Sequence, residues 1–414
     1  MIQFQICIFL QKWNPIPNLH IFAKMESMIP MAILPQAQLY LSQFRAVCIT
    51  GPRQSGKTTL SKMLFKKQPY VNFENPDTQA KAEENPAAFL QNYTNGAIFD
   101  EVQRLPVLFR YLQEILDNNQ SRGQFILTGS NHFLLQEQMS QSLAGRTGYL
   151  TLLPLSYAEL SQTHAFKQKK HTLQQLILTG GYPEIWHEQL QPHIWLASYL
   201  QTYVQRDVRL LKNIGNLAAF TKLIYLCAAH AGQLLNRETF ASAIGVDNKT
   251  IQSWLGLLET SFIIYLLPPW HNNTGKRIIK SPKLYFYDTG LLCYLLNIKT
   301  TTQLHQHPSY GAIVENWVIS EIKKNRLNEG FPDNLHFYRD STGNEIDIVF
   351  EKNGIDMAIE IKGSKKWDTG MLRGLHYWDK HHPHAQKMLI YAGEESTMIT
   401  DQLQVASWRT IGDI

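Results

Sequence analysis

Gly51-Pro52-Arg53-Gln54-Ser55-Gly56-Lys57-Thr58, followed by Thr59, fills every fixed position of the template G-x-x-x-x-G-K-[ST]. The chemistry this spacing serves is phosphate binding. Two glycines let the backbone curl so that successive N–H groups face phosphate oxygens, and the next helix adds its N-terminal partial charge. Lys57 then reaches the β/γ-phosphates and the Thr58 hydroxyl sits on Mg²⁺. Further on, Asp100 and Glu101 close the apolar run Ala97-Ile98-Phe99. Asp100 is placed to hold Mg²⁺ through water beside Thr58, and Glu101 to polarise the attacking water; an acidic pair at a strand end is otherwise often just solvated. Ser130 and Asn131 follow the run Gln124-Phe125-Ile126-Leu127-Thr128 and Gly129, as γ-phosphate sensors or as ordinary turn residues. Arg146 reads equally as a charge-stabilising arginine, in its own subunit or a neighbour, and as a structural ion-pair partner.

These side chains need strands behind them and helices after them. Val47-Cys48-Ile49 reads as the strand before the loop, Thr59 to Phe65 as the helix after it, and Tyr70 to Phe73 as a second strand, with a polar helical stretch through Phe89. The expected fold is an α/β P-loop NTPase domain with a parallel sheet, over residues 36–165.

A second set of carboxylates lies near the C-terminus. Glu345-Ile346-Asp347-Ile348-Val349-Phe350-Glu351-Lys352 and Ile355-Asp356-Met357-Ala358-Ile359-Glu360-Ile361-Lys362 flank Asn353-Gly354, the preferred pair for a type I′ hairpin turn. That turn predicts Lys352 opposite Ile355, Asp347 opposite Glu360 and Glu345 opposite Lys362. Period-two alternation puts Ile346, Ile348, Phe350, Met357, Ile359 and Ile361 on one face and Asp347, Glu360 and Lys362 on the other. Two directly opposed carboxylates repel unless a divalent cation lies between them or Lys362 neutralises the pair.

Between these sites, residues 172–298 carry mostly helical periodicity. Arg237 to Leu255 has helix-turn-helix spacing: Ala241 on the first helix, Gly245 in the turn, Asp247 as cap and Ile251 packing back from the second. Asn248, Lys249, Gln252 and Ser253 face outward, suited to groove or phosphate contact. Two strands, Phe262 to Leu267 and Arg277 to Tyr287, then form a wing bearing Lys276, Arg277, Lys280 and Lys283, for phosphates or for packing.

At 414 residues, 44% hydrophobic and 18% charged, the chain has globular composition and room for two or three domains. Lys plus Arg number 39 against 34 Asp plus Glu, so a net charge of +5 permits a polyanionic partner without demanding one. Cys7, Cys48, Cys227 and Cys293 lie far apart, which fits a reducing cytosol and a cytoplasmic location. The histidine runs His305-Gln306-His307 and His381-His382-Pro383-His384 lack the companions of a zinc site. No apolar stretch approaches the ~20 residues that span a bilayer, so no membrane partner is expected. Residues 1–35, with alternative starts at Met25, Met28 and Met31, read as a poorly ordered N-terminal extension.

Taken with Phe99-Asp100-Glu101, Leu127-Thr128-Gly129-Ser130 and Gly145-Arg146, the phosphate loop closely resembles that of the prokaryotic AAA-type ATPases with a C-terminal domain of unknown function. The likeness extends through Gly180-Gly181-Tyr182-Pro183, Arg206-Asp207, Lys280-Ser281-Pro282-Lys283, Asp288-Thr289-Gly290-Leu291 and Gly311-x-x-x-Glu315-Asn316, nearly everything after residue 40. It implies ATP as nucleotide, Mg²⁺ as cofactor and an AAA-like core, with no settled substrate. The hairpin's D…E-x-K set resembles the PD-(D/E)XK nuclease core, although no proline precedes Asp347. That likeness implies Mg²⁺ on Asp347 and Glu360, a water-positioning Lys362, and Glu315 as fourth member on a helix from Ile313 to Lys323. The expected order is thus the ATPase domain, a winged-helix region over 166–300 and an α/β restriction-endonuclease-like domain over 301–414. ATP, DNA and a second copy of the chain stand as candidate partners. The leading function is an ATPase coupled to a DNA-directed C-terminal half; the alternatives are a nucleotide-switched scaffold and an ATP-dependent nuclease.

Overall fold

Alternating apolar residues in the first half build a sheet buried on both faces. In the computed structural model, which describes residues 29–130, 143–204, 214–270 and 280–414, helix α1 (Leu34–Gln43) precedes strand β1 (Ala46–Thr50). Then come α2 (Lys57–Leu64), β2 (Tyr70–Asn72), α3 (Pro76–Glu84), α4 (Pro86–Gln91), β3 (Ala97–Asp100), α5 (Leu108–Asn118), β4 (Phe125–Gly129) and β5 (Thr147–Thr151). The strands are all parallel in the order β2-β3-β4-β1-β5. Ala46, Cys48, Phe99 and Leu127 pack on one face, and Val47, Ile49, Ile98 and Ile126 on the other. Residues 1–28, Asn131, Arg206-Asp207, Lys276 and Arg277 lie outside the described residues.

The middle is mostly helical: α6 (Tyr157–Gln162), α7 (Leu173–Thr179), α8 (Pro183–His187), α9 (Pro192–Thr202), α10 (Leu217–Ala229), α11 (Arg237–Ile244) and α12 (Asn248–Thr260). Gly245 ends α11 in the left-handed region and the Asp247 carboxylate caps α12 by accepting from Thr250 N–H. A short antiparallel pair follows, β6 (Ile264–Leu267) with β7 (Lys283–Phe286), then α13 (Thr289–Leu295).

The long helix α14 (Tyr310–Asn328) is buried nearly all round, yet its flanks carry Asn, Ser, Glu, Lys and Arg. Several of these bond to other parts of the chain. Asn316, 0% exposed, accepts from Phe286 N–H at 2.8 Å and donates to Phe286 O at 2.7 Å, and Ser320 donates to the same carbonyl at 2.9 Å. Glu321 accepts from Tyr157 N–H at 2.5 Å, and Lys324 donates to Leu155 O at 3.1 Å and to Glu321 at 2.7 Å. Asn325 donates to Ile411 O at 2.8 Å. One helix therefore joins the first sheet, the middle helices and the C-terminal sheet.

That last sheet runs β12-β13-β11-β10-β9-β8, from β8 (His336–Arg339), β9 (Glu345–Lys352), β10 (Ile355–Lys362), β11 (Gln386–Tyr391), β12 (Thr397–Thr400) and β13 (Leu403–Ser407), with α15 (Arg373–Asp379) against β9 and β10. Asn353 and Gly354 both have positive φ, 55° and 80°, as a type I′ turn requires. The expected register holds from Lys352–Ile355 to Ile348–Ile359, then stops. Between His336–Val349 and Tyr338–Ile346, β9 carries one extra residue, a bulge that turns Ile346 to the face of Val349 and Ala358 and away from Ile348. Ile346 therefore lies opposite to where strict alternation puts it. Glu345 pairs across the sheet with Arg339, not Lys362, and Asp347 replaces its ladder bond by accepting from Ile361 N–H at 2.7 Å.

Asn316→Ala leaves the buried Phe286 N–H without its acceptor, so chemical denaturation should show a loss of roughly 1–3 kcal/mol; an unchanged midpoint would contradict the joining role of α14.

Candidate nucleotide site

The phosphate loop runs from the C-terminal end of β1 into α2. A Cβ on Gly51, at φ 150°, would lie 2.0 Å from Leu152 O, and Gly56 enters α2 at φ 98°, so both positions require glycine. Lys57 is buried, and its ammonium donates to Gly51 O at 3.0 Å and Pro52 O at 2.7 Å, which holds it at the loop.

Strands β3 and β4 bring the remaining groups to the same end of the sheet. Thr58 Oγ1 donates to Asp100 Oδ2 at 2.9 Å, joining the loop to the carboxylate expected beside it. Two further partners were not evident from spacing: Tyr70 OH donates to the same oxygen at 2.6 Å, and Thr128 Oγ1 donates to Asp100 Oδ1. Burial and then the bond to Asp100 push the Tyr70 phenol well up, so it stays a donor. Glu101 Oε2 accepts from Gln103 at 2.5 Å and from Ser130 Oγ at 3.0 Å, which brings that sensor candidate onto Glu101. The backbone of Glu101 is left-handed, φ 55° and ψ 42°, a strain of about 1–3 kcal/mol for a non-glycine residue that re-aims its carboxylate.

These groups open onto a cavity of about 520 Å³. Arg53, Thr58, Asp100 and Glu101 line one side; Trp195 and Tyr199 of α9 line the other. The two rings stack, centroids 5.4 Å apart at 13°, and Trp195 Nε1 donates to Glu184 of α8 at 3.2 Å. Behind them Gly181 N–H donates at 2.7 Å to Asp288, the cap of α13. Burial raises the Asp288 pKa, against Lys324 and backbone donors that lower it. The Gly180-Gly181-Tyr182-Pro183 and Asp288-Thr289-Gly290-Leu291 motifs thus meet at one joint.

Arg146 is elsewhere. It lies at the start of β5, beside the start of β1, at the opposite end of the sheet from the phosphate loop, with Nε and Nη2 on Asp117 at 2.5 and 2.9 Å. Within its own subunit it is an ion-pair partner and does not line the cavity, which corrects the charge-stabilising reading there.

The C-terminal acids gather as expected, around an unexpected residue. Lys283, placed by sequence on a basic wing, is only 4% exposed and points its ammonium at Glu345 (2.5 Å), Glu315 (3.0 Å) and Asp347 (3.9 Å). Tyr285 also donates to Glu315, and Lys362 contacts Glu360 at 2.5 Å. Burial, then Glu360 and Glu315, pushes the Asp347 pKa up against Lys283 and Lys362. Burial also lowers the Lys283 pKa, but Glu315, Asp347 and Glu345 outweigh it and leave the ammonium firmly charged. Among the described residues no group of three or more His, Cys, Asp or Glu is arranged to hold a metal ion, and no helix is long and apolar enough to cross a membrane.

Residues 43–161 match the AAA domain family, residues 170–302 a domain of unknown function (DUF8612) and residues 310–411 another (DUF4143). The uncharacterized protein Rv2008c of Mycobacterium tuberculosis is 31% identical over 369 residues, 86% of this chain and 81% of that protein. The uncharacterized protein MJ1544 of Methanocaldococcus jannaschii is 24% identical, over 77% of this chain and 75% of its own. The solved Walker-type ATPase of Pyrococcus abyssi covers 64% of this chain and 94% of its own, at 12% identity and a TM-score of 0.45, a likeness too distant to carry function. The chain belongs to the same family as the mycobacterial protein, with a P-loop AAA domain followed by two domains of unknown function.

Proposed function

We propose that this protein is a Mg²⁺-dependent ATPase whose AAA domain drives or gates a DNA-directed C-terminal half. The observation that carries the reading is the convergence of Lys57, Thr58, Asp100 and Glu101 on one cavity above the phosphate loop, with Ser130 bonded to Glu101. The donor set suits the ion: a hydroxyl and a carboxylate 2.9 Å apart are hard oxygen ligands. Thr58 and, through water, Asp100 would hold Mg²⁺, which neutralises phosphate charge when bound.

The chain's own residues do the rest. Backbone N–H groups from Gly51 to Thr59, with Pro52, Arg53, Gln54 and Ser55 shaping the turn, cradle the phosphates, and Lys57 places its ammonium on the β/γ oxygens. Tyr70 and Thr128 orient Asp100. Glu101, with one oxygen held by Gln103 and Ser130, keeps the other for the proton of the attacking water. The wall supplied by α9 supports coupling, since a nucleotide in the cavity touches the middle helices directly. DNA contact is supported by the helix-turn-helix spacing and by Asn248, Lys249 and Gln252, exposed on α12. Strand cleavage is not favoured, because Lys283 stands among the acids that would hold the metal.

Lys57→Ala should abolish ATP hydrolysis, and Glu101→Gln should bind ATP normally while turnover falls by about 10²–10⁴-fold; normal phosphate release by either variant would refute the site. Double-stranded DNA should change the steady-state ATPase rate, since a partner acts through differential affinity for the nucleotide states. Lys249→Ala should weaken DNA binding and flatten its salt dependence. A rate indifferent to every DNA form would remove the DNA half of the proposal.

A further inference from the structure

Four carboxylates, from Glu315, Glu345, Asp347 and Glu360, meet where β7 of the middle region crosses α14 and the β9–β10 hairpin. Such a group is unstable without positive charge. Lys362 serves Glu360 from within the hairpin, and Arg339 reaches Glu345 at 3.4 Å from the neighbouring strand. The deepest cation comes from outside that sheet. Lys283 touches Glu345 and Glu315 and stands 3.9 Å from Asp347.

Its placement is rigid. Lys283 pairs with Leu267 in the β6–β7 ladder and bridges to Leu234, and three residues along, Phe286 is gripped by Asn316 and Ser320 of α14. Glu315 is the residue next to Asn316, and it holds Tyr285 as well as Lys283. The same helix turn that clamps the strand therefore presents the carboxylate to the strand's ammonium. A divalent ion bound by these acids needs oxygens at about 2.0–2.6 Å from a shared centre. The ammonium already lies among the oxygens that would supply them.

We propose that Lys283 is the resident cation of this carboxylate group, an ammonium lent by the middle region that takes the place of a divalent metal and locks β7 to the C-terminal sheet. Lys283 is then a positioning residue and the lock is independent of metal. It follows that removing the ammonium converts the acids into a cation-demanding site.

The test uses the full-length protein without nucleotide and reads thermal midpoint in EDTA and in Mn²⁺, together with Mn²⁺ binding by electron paramagnetic resonance. Wild type should show the same midpoint in both and no Mn²⁺ binding that Asp347→Asn removes. Lys283→Met should melt earlier in EDTA, recover in Mn²⁺ and gain a Mn²⁺ site that the Lys283→Met/Asp347→Asn double variant lacks, while Lys283→Arg should behave as wild type. Asp347-dependent Mn²⁺ binding by wild type overturns the proposal, and that arm stands even if Lys283→Met does not fold. A folded Lys283→Met protein that neither loses stability in EDTA nor binds Mn²⁺ overturns it equally.

Discussion

The structure depends on the burial of α14. A helix enclosed on all sides is ordinarily apolar, since each buried polar group without a partner costs about 1–3 kcal/mol. Here Asn316, Ser320, Glu321, Lys324 and Asn325 are enclosed, and between them they bond three other regions of the chain: Phe286 of β7, the Leu155–Tyr157 segment and Ile411. The consequence is orientational. Apolar packing tolerates sliding, but a set of directed bonds to β7, to the segment after β5 and to the C-terminus allows one arrangement of the three regions.

That arrangement gives the nucleotide cavity its second wall. Trp195 and Tyr199 face the phosphate loop because α8 and α9 follow Gly181, whose N–H is fixed on Asp288 at the start of α13. A rearrangement around the phosphates would therefore press on helices that lead into α11 and α12. The acid cluster shares no residue with the lining of that cavity, and its lysine comes from the strand that α14 clamps. Both features are products of interdomain packing and belong to no single domain.

This explains which parts were legible in the sequence. The phosphate loop, Asp100, Glu101 and the cap at Asp247 are local patterns, where spacing alone fixes geometry, and the hairpin turn set its register as far as Ile348–Ile359. The bulge in β9 was not legible, because it answers to the neighbouring strand β8. Tyr70 carried no signal, being a lone tyrosine opening a strand that only the sheet brings beside Asp100. Lys283 was misplaced for the same reason: a lysine near other lysines looks like a basic surface until the fold shows the carboxylates of Glu315, Glu345 and Asp347 around it. Arg146 reads by type as a charge-stabilising arginine or an ion-pair partner, yet parallel pairing of β5 with β1 puts it at the wrong end of the sheet for its own phosphate loop.

On the proposed reading, nucleotide on the phosphate loop would be read directly by the middle helices through α9. The most direct measurement is the change in tryptophan emission on adding Mg²⁺-ATP to the full-length protein and to Trp195→Phe. The wild type should show a saturable change that Trp195→Phe removes while ATP binding persists. A signal unaltered by that substitution, or no signal at saturating nucleotide, would contradict it.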